Sequence, residues 1–172
     1  MHGDERSIVK NQRREFQPIG REQLLQELVH DSYKAGRKLA QPARCPDCGA
    51  VFQKGRWIWG TAPAAAHEER CPACHRIHDK FPAGFVTLKG PFLQAHRDEI
   101  LQLIRHHEAK EKAEHPLQRI MSIADSADGI LVTTTDTHLA RDIAQALHHA
   151  FKGELEFHYN KADNLLRATW AR

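Results

Sequence analysis

The four cysteines of the chain fall in two pairs of identical spacing, Cys45-Pro46-Asp47-Cys48 and Cys71-Pro72-Ala73-Cys74, with 22 residues between the pairs. A CPxC turn brings two sulfurs to one side of the backbone, and two such turns supply the tetrahedral thiolate set that zinc prefers. The pattern predicts a zinc ribbon holding one structural Zn2+ on Cys45, Cys48, Cys71 and Cys74. Four sulfurs close the coordination shell and leave no position for a reacting water, so the ion is expected to stabilise a fold rather than to hydrolyse anything. Two disulfides are a weaker reading, because no signal-like apolar run precedes the cysteines and the spacing is that of a metal site. A thioredoxin-like redox motif is weaker again, since it needs one CxxC opening a helix in a βαβ unit and here the pair is duplicated. His75 and His78 follow the second pair; with the ion saturated, they are left with a hydrogen bond to a sulfur or with simple exposure.

A second chemistry surrounds the first. Lys54, Arg56, Trp57 and Trp59 lie at and after a predicted hairpin tip, and Arg44, Arg70, Arg76 and Lys80 lie near the cysteines. Cations meet phosphates and indoles stack on splayed bases, which is what an RNA-contacting surface requires. Trp57 and Trp59, two residues apart, share one strand face and either pack inward or meet a partner. With Arg13 and Arg14 of the N-terminal segment, the candidate nucleic-acid-binding residues are Arg13, Arg14, Arg44, Lys54, Arg56, Trp57, Arg70 and Arg76.

Thr133-Thr134-Thr135-Asp136-Thr137-His138 ends a strand and opens a helix. It reads first as a helix cap on Asp136 or Thr137, next as an anion site at a helix N-terminus, and last as a hydrolase centred on Asp136 and His138, because no serine or cysteine nucleophile with a supporting motif stands nearby. Thirteen histidines are scattered without convergent spacing, and the default for each is a solvated or half-buried ring.

The elements that must position these groups follow from periodicity. In 172 residues with 41% apolar content there is room for one ordinary domain or two small ones. The expected class is α+β: an N-terminal helix, the four-cysteine zinc ribbon, a long helix, then a ββαββ domain with a four-stranded antiparallel sheet. Residues 1–18 read as a flexible basic arm and residues 19–43 as a helix, with Leu24, Leu25, Leu28 and Val29 at helical spacing. Residues 44–90 form the ribbon, with a hairpin broken at Gly55 and a third strand over 82–90 expected to complete it. Residues 91–115 form the long helix opened by Pro91. Residues 116–172 hold two hairpins separated by the clearest helix of the chain, whose buried stripe is Leu139, Ile143, Ala146, Leu147 and Ala150 and whose stop is Gly153.

The formal charge is +3. Four thiolates and a dication would lower it to +1, so attraction to nucleic acid through net charge is unsupported and any such binding must come from a local patch. No stretch approaches the roughly 18 apolar residues of a membrane span. A cytoplasmic protein without a membrane partner is expected.

The CPDCG and CPACH turns with GRWIW between them, PAGFVTLKGPF after them, then HPLQRIM, TTTDTHLAR, KGELEFHYN and LLRATW together resemble a family of small proteobacterial zinc-ribbon proteins, over nearly the whole chain. More distantly, the CxxC turns and the THLA helix start resemble the archaeal and eukaryotic adaptor family for export of the large ribosomal subunit, the nonsense-mediated decay protein three family. That adaptor family carries more than one metal site, whereas this chain has cysteines for one. The resemblance implies a binder of the ribosome or its rRNA and no reaction. The function expected is therefore a non-enzymatic zinc-ribbon protein on the ribosome or rRNA, as a stress or dormancy factor. A protein-interaction module serving transcription or assembly is the alternative.

Overall fold

Alternating burial along four strands builds the sheet on which the rest of the molecule is assembled. The structure is a computed structural model that describes residues 16–21, 33 and 38–172. The body of the helix expected over 19–43, and Arg13 and Arg14, lie outside these residues. In chain order the described elements are β1 (Gln17–Ile19), β2 (Ala43–Arg44), β3 (Val51–Gln53), β4 (Arg56–Ile58), β5 (His67–Glu68), α1 (Pro72–Asp79), β6 (Gly84–Lys89), α2 (Pro91–Ala95), α3 (Arg97–Glu114), β7 (Ile120–Ser126), β8 (Gly129–Thr134), α4 (Thr137–Phe151), β9 (Glu154–Asn160) and β10 (Leu165–Ala171). Helices and sheets are segregated as the α+β class requires.

The larger sheet has six strands in the order β1-β9-β10-β6-β8-β7. The ββαββ succession is present, but its two hairpins do not pair with each other. Strand β6, expected to complete the ribbon, stands between them, parallel to β10 and antiparallel to β8. The physical reason is burial: Gly84, Val86 and Leu88 are all buried, which a central strand between two partners satisfies and the edge of a small ribbon does not. The end of the expected arm is also used, since β1 extends the sheet beside β9.

Helix α4 lies across this sheet, chiefly on β10 and β6. Leu139, Ile143 and Leu147 form its fully buried stripe with Ala140 and Ala144, while Ala146 is half-buried and Ala150 exposed. The stripe is turned slightly from the expected one so that small side chains face the sheet. Gly84 explains the need: a methyl group there would collide with the Ala140 methyl and the Thr134 hydroxyl. Asp136 caps the helix start, its side chain accepting from the Leu139 amide at 3.0 Å. Trp170 of β10 is buried beneath the other end and donates its indole N–H to the Lys152 carbonyl at 2.7 Å.

The long helix over 91–115 is divided. Pro91–Ala95 and Arg97–Glu114 are separate helices, because His96 leaves helical geometry at φ −123°. Ile100 and Ile104 of α3 are buried against the same core, and in its polar second half the Lys112 carbonyl accepts a hydrogen bond from Trp59 at 2.6 Å.

The smaller sheet has the order β4-β3-β2-β5. Its hairpin is the expected one: Gln53 pairs with Arg56 across Lys54 and Gly55, whose φ values of 50° and 77° make the two-residue turn that matches strand twist.

Candidate metal centre

The two CPxC pairs fold differently. The first is a closed turn: Cys45 N–H donates to Ala50 at 2.8 Å and Gly49 N–H to Cys45 at 2.9 Å, with Gly49 at φ 79° where a side chain would strain the backbone. The second opens a helix. Cys71 is the N-cap of α1, its sulfur accepting the Cys74 amide at 3.4 Å, and Pro72 takes the first helical turn where no amide is needed. The expectation of two like turns is thus corrected at the second pair, whose Pro-Ala-Cys-His continuation is helix-compatible. Helix α1 stops at Lys80, in left-handed geometry.

All four sulfurs lie within 4.8 Å of one another. Cys45 and Cys71 are fully buried, Cys74 nearly so, and Cys48 is half-buried. The spacing fits a tetrahedral ion: Cys48 and Cys71 Sγ are 3.8 Å apart, and a tetrahedron with metal–sulfur bonds of about 2.3 Å has edges of about 3.8 Å. The donor set can therefore hold one thiophilic metal ion.

The thiols need such a counter-charge. Burial pushes Cys71 well above its ordinary value, with the Cys74 amide pulling the other way. Burial likewise raises Cys74 to about 11 against the pull of Arg119. Cys45 goes in the opposite direction: burial resists its ionisation, but amides of Cys71, Cys48 and Asp47 outweigh that and bring it down to about 7.

Arg119 is the residue that the cysteine spacing does not reveal. Only 8% exposed, it turns Nη2 onto three sulfurs, at 3.2 Å from Cys71, 3.3 Å from Cys74 and 3.8 Å from Cys48. Burial works against its charge, yet the hydrogen bond to Cys74 and the fields of Cys71, Cys74 and Cys48 more than compensate and raise its pKa. Its backbone is clamped to the start of α4. Arg119 N–H donates to Thr135 Oγ1 at 3.0 Å, Thr135 N–H returns to the Arg119 carbonyl at 2.9 Å, and the Thr135 hydroxyl donates to the Leu117 carbonyl at 2.6 Å. The guanidinium therefore ties the cysteine module to the large sheet. With a dication on four thiolates the centre would carry −2, and Arg119 would reduce the buried charge to −1.

No family model, curated protein or solved structure matches the chain.

The nucleic-acid candidates divide. Arg44 on β2 and Lys54 and Arg56 at the hairpin are exposed. Trp57 is half-buried, packed on the cysteine cluster with its ring 5.3 Å from that of Phe52. Trp59 is 36% exposed and donates its indole N–H to the Lys112 carbonyl of α3 at 2.6 Å. Arg70 pairs with Asp47 at 2.6 Å across the mouth of the first turn. Arg76 must be removed from the surface set. It is 1% exposed, donates to the Phe81 carbonyl at 3.1 Å, and lies over the Tyr33 ring at 4.5 Å. Helix α1 turns position 76 inward, where an expectation based on nearness to the cysteines put it outside.

Arg56, Trp57 and Arg70 are brought together on the lining of one cleft of about 800 Å³, which residues 115–118, Asp136 and His138 also line. Asp136 has the capping role described above. His75 lines the same cleft, whereas His78 is exposed and paired with Asp79 at 3.0 Å. Among the described residues no helix is long and apolar enough to cross a membrane.

Proposed function

We propose that this is a non-enzymatic, cytoplasmic protein, built around one structural Zn2+, that binds the ribosome or its rRNA, in the setting of stress or dormancy. The observation that carries the reading is the basic surface of the cysteine module: Lys54 and Arg56 exposed at the hairpin, with Arg44 exposed two strands away. Cations held on a metal-stapled sheet keep their positions without a large core behind them, and phosphate contacts of this kind supply most of the affinity for RNA. The distant resemblance of the CxxC turns and the THLA helix start to the adaptor family for export of the large ribosomal subunit supports the same reading. Zinc is the reading taken because four thiolates fill its tetrahedral shell, as in structural zinc sites, and leave no position for a reacting water.

The test is co-sedimentation with ribosomal particles at several salt concentrations, for the wild type and for Lys54→Glu with Arg56→Glu. Association should fall steeply with salt and be weaker in the double variant, because each cation withdrawn from a phosphate lowers the slope of log K against log salt by about one. Unchanged co-sedimentation of the variant would remove the hairpin from the interface.

A second reading, a protein-interaction module, is favoured by Ile77 of α1 and Phe81 just after it, which are 41% and 44% exposed. Recovery of one protein partner without rRNA, insensitive to salt, would decide for it.

A further inference from the structure

The cleft between the cysteine module and the segment ahead of β7 has more than positive charge to offer. We propose that it receives one unpaired nucleotide of an RNA strand, the base against Trp57 and the phosphate on Arg56 and Lys38. This rests on the RNA-binding reading and specifies where, and in what state, the strand is held.

The shape of the cleft favours a single strand. At 800 Å³ the cleft falls in the range of about 300–1,000 Å³ that encloses small ligands. A duplex keeps its base faces stacked and presents only backbone and groove edges, so nothing of it enters a concavity of this size except a flank of phosphate. A splayed nucleotide brings a flat apolar face and an anion on one short scaffold.

The lining favours it as well. Trp57, Phe52 and Tyr33 supply ring surface, while Arg56 and Lys38 supply exposed cations. Trp57 is fixed in advance. Its ring packs on the cysteine cluster and meets that of Phe52 at a tilt of 50°, while the residue stays half-exposed on the cleft lining. A base stacking on it therefore orders no loose side chain, and the cost of binding is reduced accordingly. Glu69 and Asp136 also stand on the lining and repel phosphate from their side. Repulsion from these carboxylates leaves Arg56 and Lys38 as the favourable place for the anion.

The experiment uses the full-length, metal-loaded protein and a short fluorescein-labelled single-stranded RNA, with the same strand annealed to its complement as competitor. Binding is read by anisotropy, and metal content confirms that each variant is folded. The single strand should bind and the duplex should fail to displace it. Arg56→Ala should lower the slope of log K against log salt by about one. Trp57→Ala should weaken binding about five- to 150-fold, and Trp57→Phe, which keeps a ring on the cysteines, should restore most of it. Equal displacement by duplex, or unchanged affinity in both Arg56→Ala and Trp57→Ala, would overturn the proposal. Parallel sedimentation separates the two ideas. Ribosomal particles bound by a protein that ignores the free strand would overturn the cleft and leave the ribosome reading standing. Strand binding in the cleft without particle association would do the reverse.

Discussion

At the scale of single residues, the most consequential is Arg119. A guanidinium in contact with three sulfurs is poorly hydrated, 8% exposed, and useful only if those sulfurs are negative. It thereby favours the thiolate state that metal demands. Replacing it with methionine keeps the stem but removes the charge, and outer partners of metal ligands typically contribute 10–100-fold to metal affinity. Arg119→Met should therefore lose metal to a chromophoric chelator at roughly 10–100-fold lower chelator concentration. Equal resistance of the two proteins would mean that the contact is packing without electrostatic effect. The four cysteines were legible from spacing alone, but Arg119 was not. It sits 45 residues beyond Cys74 in Leu-Gln-Arg-Ile, a run that any strand start could carry, and it reaches the sulfurs only through the clamp to Thr135. Arg76 failed in the opposite sense: nearness in sequence to a knuckle said nothing about which side of α1 it would occupy.

At the scale of elements, β6 and α4 decide how well the core closes. Gly84 lies where β6 passes under the start of α4, and its missing side chain is what permits the approach of Ala140 and Thr134. Gly84→Ala should cost about 1–3 kcal/mol, the usual penalty for forcing a methyl into packed surroundings, read as a lowered urea midpoint with unchanged slope. A midpoint equal to wild type would show that the helix shifts freely. Helix α4 and both C-terminal hairpins were legible because their periodicity is local. The partners of β6 were not, since Gly-Phe-Val-Thr-Leu-Lys satisfies a ribbon strand and a central strand equally in pattern. Only long-range burial distinguishes them. The break at His96 was equally hidden, because Phe92, His96 and Ile100 keep helical spacing across it.

At the scale of the whole molecule, the described residues form two apolar clusters. One, under α4, includes Val86, Leu88, Ile143 and Trp170; the other is built on Cys45, Ala50, Cys71, Ala73 and Cys74. The second has five buried members, all cysteine or alanine; on the zinc reading, a binding energy of about 10–16 kcal/mol would be folding energy for this module. Cys45→Ser, or chelation of the wild type, should therefore change the fluorescence of Trp57 and release metal while the far-ultraviolet dichroism of the large sheet is largely retained. Full metal content in Cys45→Ser would contradict the ligand assignment. Loss of the sheet signal would show that Arg119 makes the two clusters a single cooperative unit. The insertion of β6 between the two hairpins also sets an order of events. Its parallel partner is β10, with Leu166 opposite Gly84 across 82 positions of chain, whereas Cys45 and Cys74 enclose a much shorter loop. Closing the long loop costs more entropy before any contact rewards it. During synthesis the cysteine module can capture its ion soon after α1 is made, while the sheet stays open until the final strand arrives. A nascent chain stalled before residue 165 would thus have a complete set of metal ligands and a β6 still without one of its two neighbours.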